Sequence, residues 1–100
     1  MALITLTEMK KRLRIEADDA DVDTEIQENI DAAIAHIKGA GVDATVVDDA
    51  SDGRVNQLIV MYTKTFYGYD IRDGIKELNK SYWLILDQLK ANTEEVYVEE

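Results

Sequence analysis

One hundred residues with 46% hydrophobic content, no proline and only five glycines describe a single folded domain with no flexible linker to divide it. A formal net charge of −10 excludes general attraction to a phosphate backbone, and no apolar run approaches the ~20 residues of a bilayer span. The absence of cysteine removes disulfides and thiolate metal sites and fits assembly in a reducing cytoplasm, and without a basic segment ahead of an apolar one no signal peptide is expected.

The first helix is announced by Thr5 and Glu8, spaced as a T-x-x-E capping box in which hydroxyl and carboxylate each take a free backbone N–H. Ile4 and Met9 stand at the matching staple positions, Leu6, Met9 and Leu13 share a face, and the helix stops near Ile15. Residues 16–25, EADDADVDTE, read as an acidic linker, because aspartate competes for backbone N–H groups and favours turns and caps. From Val22 the spacing is helical, with Ile26, Ile30, Ala33, Ile34 and Ile37 on one stripe. Asp23, Glu25 and Glu28 lie near its positive end, and Gly39 and Gly41 terminate it.

Residues 42–53 read as a loop that tucks Val46 or Val47 into the core, since an isolated strand would have nothing to pair with. The third helix starts near Arg54 with Ser51 or Asp52 as cap, keeps Val55, Leu58, Ile59, Tyr62 and Phe66 in register, and ends at Gly68. Asp70 or Asp73 caps a fourth helix that aligns Ile71, Ile75, Leu78, Tyr82, Ile85, Leu86 and Leu89 as far as Ala91. Alternation at Val96, Tyr97 and Val98 suggests an extended end. The fold expected is therefore all-α: a small four-helix domain over residues 1–92 with an extended acidic tail over 93–100. Its shared core is expected to hold Leu13, Ile26, Ile30, Ile34, Leu58, Tyr62, Phe66, Leu78, Tyr82 and Leu86.

Chemistry is absent from the pattern. Asp19, Asp21 and Asp23 match the opening of a calcium loop, but its sixth position is Thr24 and its twelfth is Ile30, where glycine and glutamate are required. A loop begun at Asp48 fails at Ala50 and Ile59. His36, the single histidine, has no nucleophile beside it and reads as a partly exposed helical residue. The glycines are too scattered to cradle a phosphate, so neither enzyme nor cofactor is expected.

Two features point instead to protein contacts. Lys10, Lys11, Arg12 and Arg14 are four of only 11 bases, while residues 16–31 carry eight acids and no base. Such opposite patches on one chain suit a head-to-tail contact between neighbouring subunits. The runs LIVMY (58–62) and YWLIL (82–86) are apolar around the whole helix, and Trp83 and Leu84 fall off the core stripe beside Asn79, Lys80 and Asp87. Tryptophan and tyrosine are enriched where binding energy concentrates, so Trp83, Leu84 and the tail residues Val96, Tyr97 and Val98 join the basic cluster as interface candidates.

The blocks LTEMKKRLRIEADD, QLIVMYTKTFYGYD and KSYWLILDQL, in this order and spacing, resemble the tailed-phage head–tail connector family from about Ile4 to Leu89. The resemblance implies a non-enzymatic structural adaptor that forms a ring on the portal protein, meets a tail-side connector or stopper protein, and completes the head after DNA packaging. It implies a place in the virion, reached by assembly in the host cytoplasm, with DNA passing through without specific binding and no membrane or cofactor involved. The charge alone also fits a soluble acidic DNA mimic that inhibits a nucleic-acid-binding host protein.

Overall fold

A computed structural model of the chain describes residues 3–16, 19–50, 52–67 and 77–98, with side chains described as far as Ala91. Five α-helices make up the regular structure of these residues: α1 (Leu6–Leu13), α2 (Ala20–Gly39), α3 (Ala44–Asp49), α4 (Gly53–Phe66) and α5 (Lys80–Val98). The class is all-α, as the periodicity implies.

Each helix begins at a side-chain cap. Thr5 Oγ1 accepts the Glu8 N–H at 3.2 Å and donates to the Glu8 carboxylate at 3.4 Å. Half of the expected capping box thus forms, and the carboxylate takes the hydroxyl proton where a box would take the Thr5 N–H. Asp19 accepts from Asp21 N and Val22 N, so α2 starts two residues before the apolar stripe. The acidic linker is in part this cap and the first turn behind it. Beyond α2, Gly41 adopts φ +112°, a region closed to most residues, and turns the chain toward α3.

The segment expected to be a loop contains a helix. Asp43 accepts from Thr45 N (2.8 Å) and Val46 N (3.3 Å), a cap strong enough to nucleate the short α3 despite its β-branched residues. The expected tuck of a valine occurs within that helix: Val47 is fully buried. Asp52 caps α4 through Arg54 N at 2.9 Å, and α4 ends at Phe66 with Tyr67 extended beyond it. Asn79 Oδ1 accepts from Tyr82 N at 3.0 Å, so α5 opens at Lys80, later than a cap at Asp70 or Asp73 would place it. Gly68, Asp70, Ile71, Asp73 and Ile75 lie outside the described residues. The backbone of α5 continues to Val98, through the segment whose alternation suggests extension.

α4 is the central element, packed against α2, α5 and α1. Val55, Leu58, Ile59, Val60 and Thr63 are all buried on it, which accounts for an apolar run that circles the helix. Ile26, Ile30, Ala33 and Ile37 from α2, Met9 from α1, and Tyr82, Leu86 and Leu89 from α5 complete the core. Of the expected core residues, Ile26, Ile30, Leu58, Tyr82 and Leu86 are buried, whereas Leu13, Ile34, Tyr62, Phe66 and Leu78 are only partly so. The stripe identifies the correct face, but its flanks lie at the edge of a domain this small.

Candidate functional site

The basic cluster is divided by the way α1 lies on α2. Lys10 Nζ reaches Asp23 Oδ1 at 2.8 Å, so one member of the cluster is spent inside the chain. Lys10 and the acidic segment thus meet within one chain, where the sequence suggests a contact between neighbouring subunits, and the pair joins α1 to α2. Lys11, Arg12 and Arg14 remain exposed. Arg14 closes α1 with φ 60°, ψ 41°, a left-handed conformation in which its N–H returns to Lys10 O and Lys11 O.

On the far side of α4, α5 divides its apolar run between core and solvent. Tyr82 and Leu86 are buried, while Trp83 and Leu84 are 45% and 52% exposed, the exposed large apolar residues of the described structure. One outward face of α5 carries Lys80, Trp83, Leu84 and Asp87, spaced by three, four and seven residues, with the apolar pair between the charges. Side chains of Val96, Tyr97 and Val98 lie outside the described residues, though their backbone belongs to α5.

Trp83 is held at the edge of an aromatic cluster. His36 from α2 lies 5.5 Å from the Trp83 ring, 5.6 Å from Tyr82 and 5.7 Å from Tyr62, and Tyr62 stacks at a tilt on Phe66 at 4.8 Å. The Tyr82 hydroxyl and His36 Nδ1 are 2.8 Å apart. Burial pushes the Tyr82 hydroxyl up to about 12, with the nearby Tyr62 adding to the effect, so it stays protonated and can donate to Nδ1 at neutral pH. His36 is half-buried, as a helical histidine beside the stripe should be, and its partners give it a packing role.

A concavity lies between α1 and α4. It encloses about 500 Å³ and is lined by Ile4, Glu8 and Arg12 on one wall and by Gln57, Val60 and Met61 on the other. Asn56 Oδ1 accepts the Ile4 N–H at 2.9 Å and fastens the strand of chain before α1 to α4, which sets the groove's width. Sequence reading misses this feature because α1 and α4 are separated by 39 residues and meet only in the fold. Gln57 and Met61, one helical turn apart and off the main stripe of α4, are the only sequence trace of it.

Among the described residues, no group of three or more His, Cys, Asp or Glu side chains could hold a metal ion, and no helix is long and apolar enough to cross a membrane. Asp19 and Asp23 of the aspartate cluster are engaged as helix cap and ion-pair partner. The described surface presents a charged groove on one side and an apolar edge on another.

The family described as phage connector protein matches residues 5–96, nearly the whole chain. No curated protein and no solved structure matches it. The helical fold, the unlike surfaces and that match lead to one conclusion: the chain belongs to the phage connector protein family, whose role in the phage particle is structural.

Proposed function

We propose that this protein is one subunit of a ring that sits between the portal and the tail of a tailed phage or prophage and completes the head after DNA packaging. The observation that carries the reading is the connector-family match over residues 5–96. Two further features support it. The exposed Trp83–Leu84 edge and the α1–α4 groove lie on different elements, as a head-to-tail ring requires. A net charge of −10 also suits a channel component that DNA must pass without adhering. The partners are further copies of this chain, the portal protein on the head side and a connector or stopper protein on the tail side. The subunits assemble in the host cytoplasm and remain at the head–tail interface of the virion.

A null allele in the phage or prophage that encodes the chain tests this directly. DNA-filled heads without tails, restored to infectious particles by adding the purified protein, are expected in electron micrographs. Normal tailed particles from the null allele would remove the reading. The acidic-mimic alternative rests on charge alone, and it predicts tight binding to a basic host protein with no defect in particle structure.

A further inference from the structure

The exposed edge of α5 and the groove between α1 and α4 are complementary in chemistry and order. Along the outward face of α5 the sequence runs Lys80, Trp83–Leu84, Asp87: cation, apolar pair, anion. Along the α1 wall of the groove it runs Glu8 then Arg12: anion, cation, with Val60 and Met61 supplying the apolar floor opposite. Arg12, Lys80 and Asp87 are exposed and make no ion pair among the described residues. An apolar edge flanked by charges of one order, and an apolar-floored groove flanked by the reverse order, occur on the same chain but on opposite sides of α4.

We propose that the Trp83–Leu84 edge of one subunit seats in the α1–α4 groove of a second copy of this chain, with α5 running parallel to the neighbour's α1, Lys80 facing Glu8 and Asp87 facing Arg12. Spacing permits it. Glu8 and Arg12 are about 6 Å apart along their helix and Lys80 and Asp87 about 10 Å, a difference the long lysine and arginine stems can span. Trp83 is a suitable anchor because its ring is already held against His36 and Tyr82, both at 5.5 Å, so little side-chain freedom is lost on docking. The groove is fastened in advance as well, by the Asn56–Ile4 hydrogen bond. Because the two surfaces differ, the contact is heterologous and propagates from subunit to subunit. An anchor of this size falls short of the ~800 Å² per partner typical of stable complexes. Free subunits therefore associate weakly, and a circular template strengthens the contact by holding neighbours in place. This inference rests on the ring reading above and names the surfaces that form the ring.

The chain's lack of cysteine makes the test clean. Leu84→Cys and Gln57→Cys, both at exposed positions, are introduced together into the full-length protein, which is oxidised at high concentration and also within assembled particles. A ladder of covalent multimers is expected, with none from Leu84→Cys alone. Reversing Glu8 and Arg12 (E8K with R12E) should abolish the ladder, and adding K80E with D87K should restore it, with circular dichroism unchanged throughout. No ladder in either setting overturns the proposal, as does a symmetric Leu84→Cys dimer or a disulfide from residue 84 to another virion protein. Tailed particles that assemble normally without the ladder would remove this contact and leave the connector reading intact. A ladder from a protein absent from virions would do the reverse.

Discussion

Tyr82 is fully buried, and its hydroxyl lies against His36 Nδ1 at 2.8 Å, a polar contact that joins α5 to α2 within an otherwise apolar cluster. Removing the hydroxyl in Tyr82→Phe leaves a half-buried ring nitrogen without its partner, and the expected cost is about 0.5–1.5 kcal/mol in a urea melt. The same site shapes the alkaline limit of the fold. Because burial raises the folded-state value from 10.0 to about 12, the neutral phenol is favoured in the native state. Its stabilising effect is complete below pH 10 and is lost as pH rises through about 12. Wild-type stability should fall across that window, and Tyr82→Phe should flatten the fall; equal slopes for both proteins would show that another group is responsible. At Arg14 the concern is backbone geometry. A left-handed conformation costs an L-residue ~1–2 kcal/mol, so Arg14→Gly should raise the denaturation midpoint, with glycine's looser unfolded chain offsetting part of the gain. A lowered midpoint would mean that the arginine side chain contributes more than its backbone costs.

Among the elements, α4 lies at the centre of the fold, packed against α1, α2 and α5 and burying five of its side chains. Leu58 sits fully buried within it, and Leu58→Ala should destabilise by roughly 2–5 kcal/mol, the range for deleting a packed leucine. A negligible shift in denaturant midpoint would contradict the central placement of α4. The start of the same helix is held by Asp52, which accepts Arg54 N at 2.9 Å while the Arg54 guanidinium grips both carboxylate oxygens at 3.0 and 2.6 Å. The side-chain hydrogen bonds from Arg54 hold the Asp52 carboxyl below its ordinary 3.8, against the opposing pull of burial. A depressed value of this kind stabilises the fold above pH 3.8, and the effect disappears as pH falls through the lower folded-state value. Asp52→Ala should cost about 0.5–2 kcal/mol at neutral pH and remove part of the acid sensitivity. If acid unfolding of the variant matches that of the wild type, the cap does not titrate.

At the scale of the whole molecule, most of the net negative charge and the exposed apolar pair fall in different halves of the sequence. Residues 1–50 carry five bases and 12 acids, residues 51–100 six and nine, so the acidity is concentrated in the half containing α1 and α2. Lys10 is committed to Asp23 within the chain, and reversing it would weaken α1–α2 packing along with any contact between subunits. Lys11 and Arg14 are exposed, so their joint reversal (K11E with R14E) separates the two effects. The expected outcome is an unchanged thermal melt with reduced incorporation into phage heads. Because exposed pairs contribute ~0–1 kcal/mol each and salt screens attraction and repulsion alike, the gap between variant and wild type should be widest at low salt and narrow as salt rises. Normal incorporation at all salt concentrations would remove Lys11 and Arg14 from the interface and leave the apolar Trp83–Leu84 edge among the remaining candidates.

Periodicity alone was enough to establish helices and their inward faces, because a 3.6-residue repeat records which side of each helix meets apolar neighbours. Ile26, Ile30, Ala33 and Ile37 lie buried on α2, as do Val55, Leu58 and Ile59 on α4. Local chemistry also settled the cap at Thr5 and narrowed that of α4 to Ser51 or Asp52, of which Asp52 accepts the Arg54 N–H; such caps act over two or three residues. The short α3 escaped because a single aspartate cap outweighed valine propensities that argue against helix. That Trp83 and Leu84 leave the core stripe was legible in the register of α5, but that Val60, equally off the stripe of the similar LIVMY run, would be buried was not. Only the placement of α4 between α1 and α5 buries Val60, while Trp83 and Leu84 stay in solvent. The Lys10–Asp23 pair and the α1–α4 groove belong to the same class. They depend on how segments distant or doubled back in sequence come to rest against one another, and that is decided by packing of the whole chain rather than by any stretch of it.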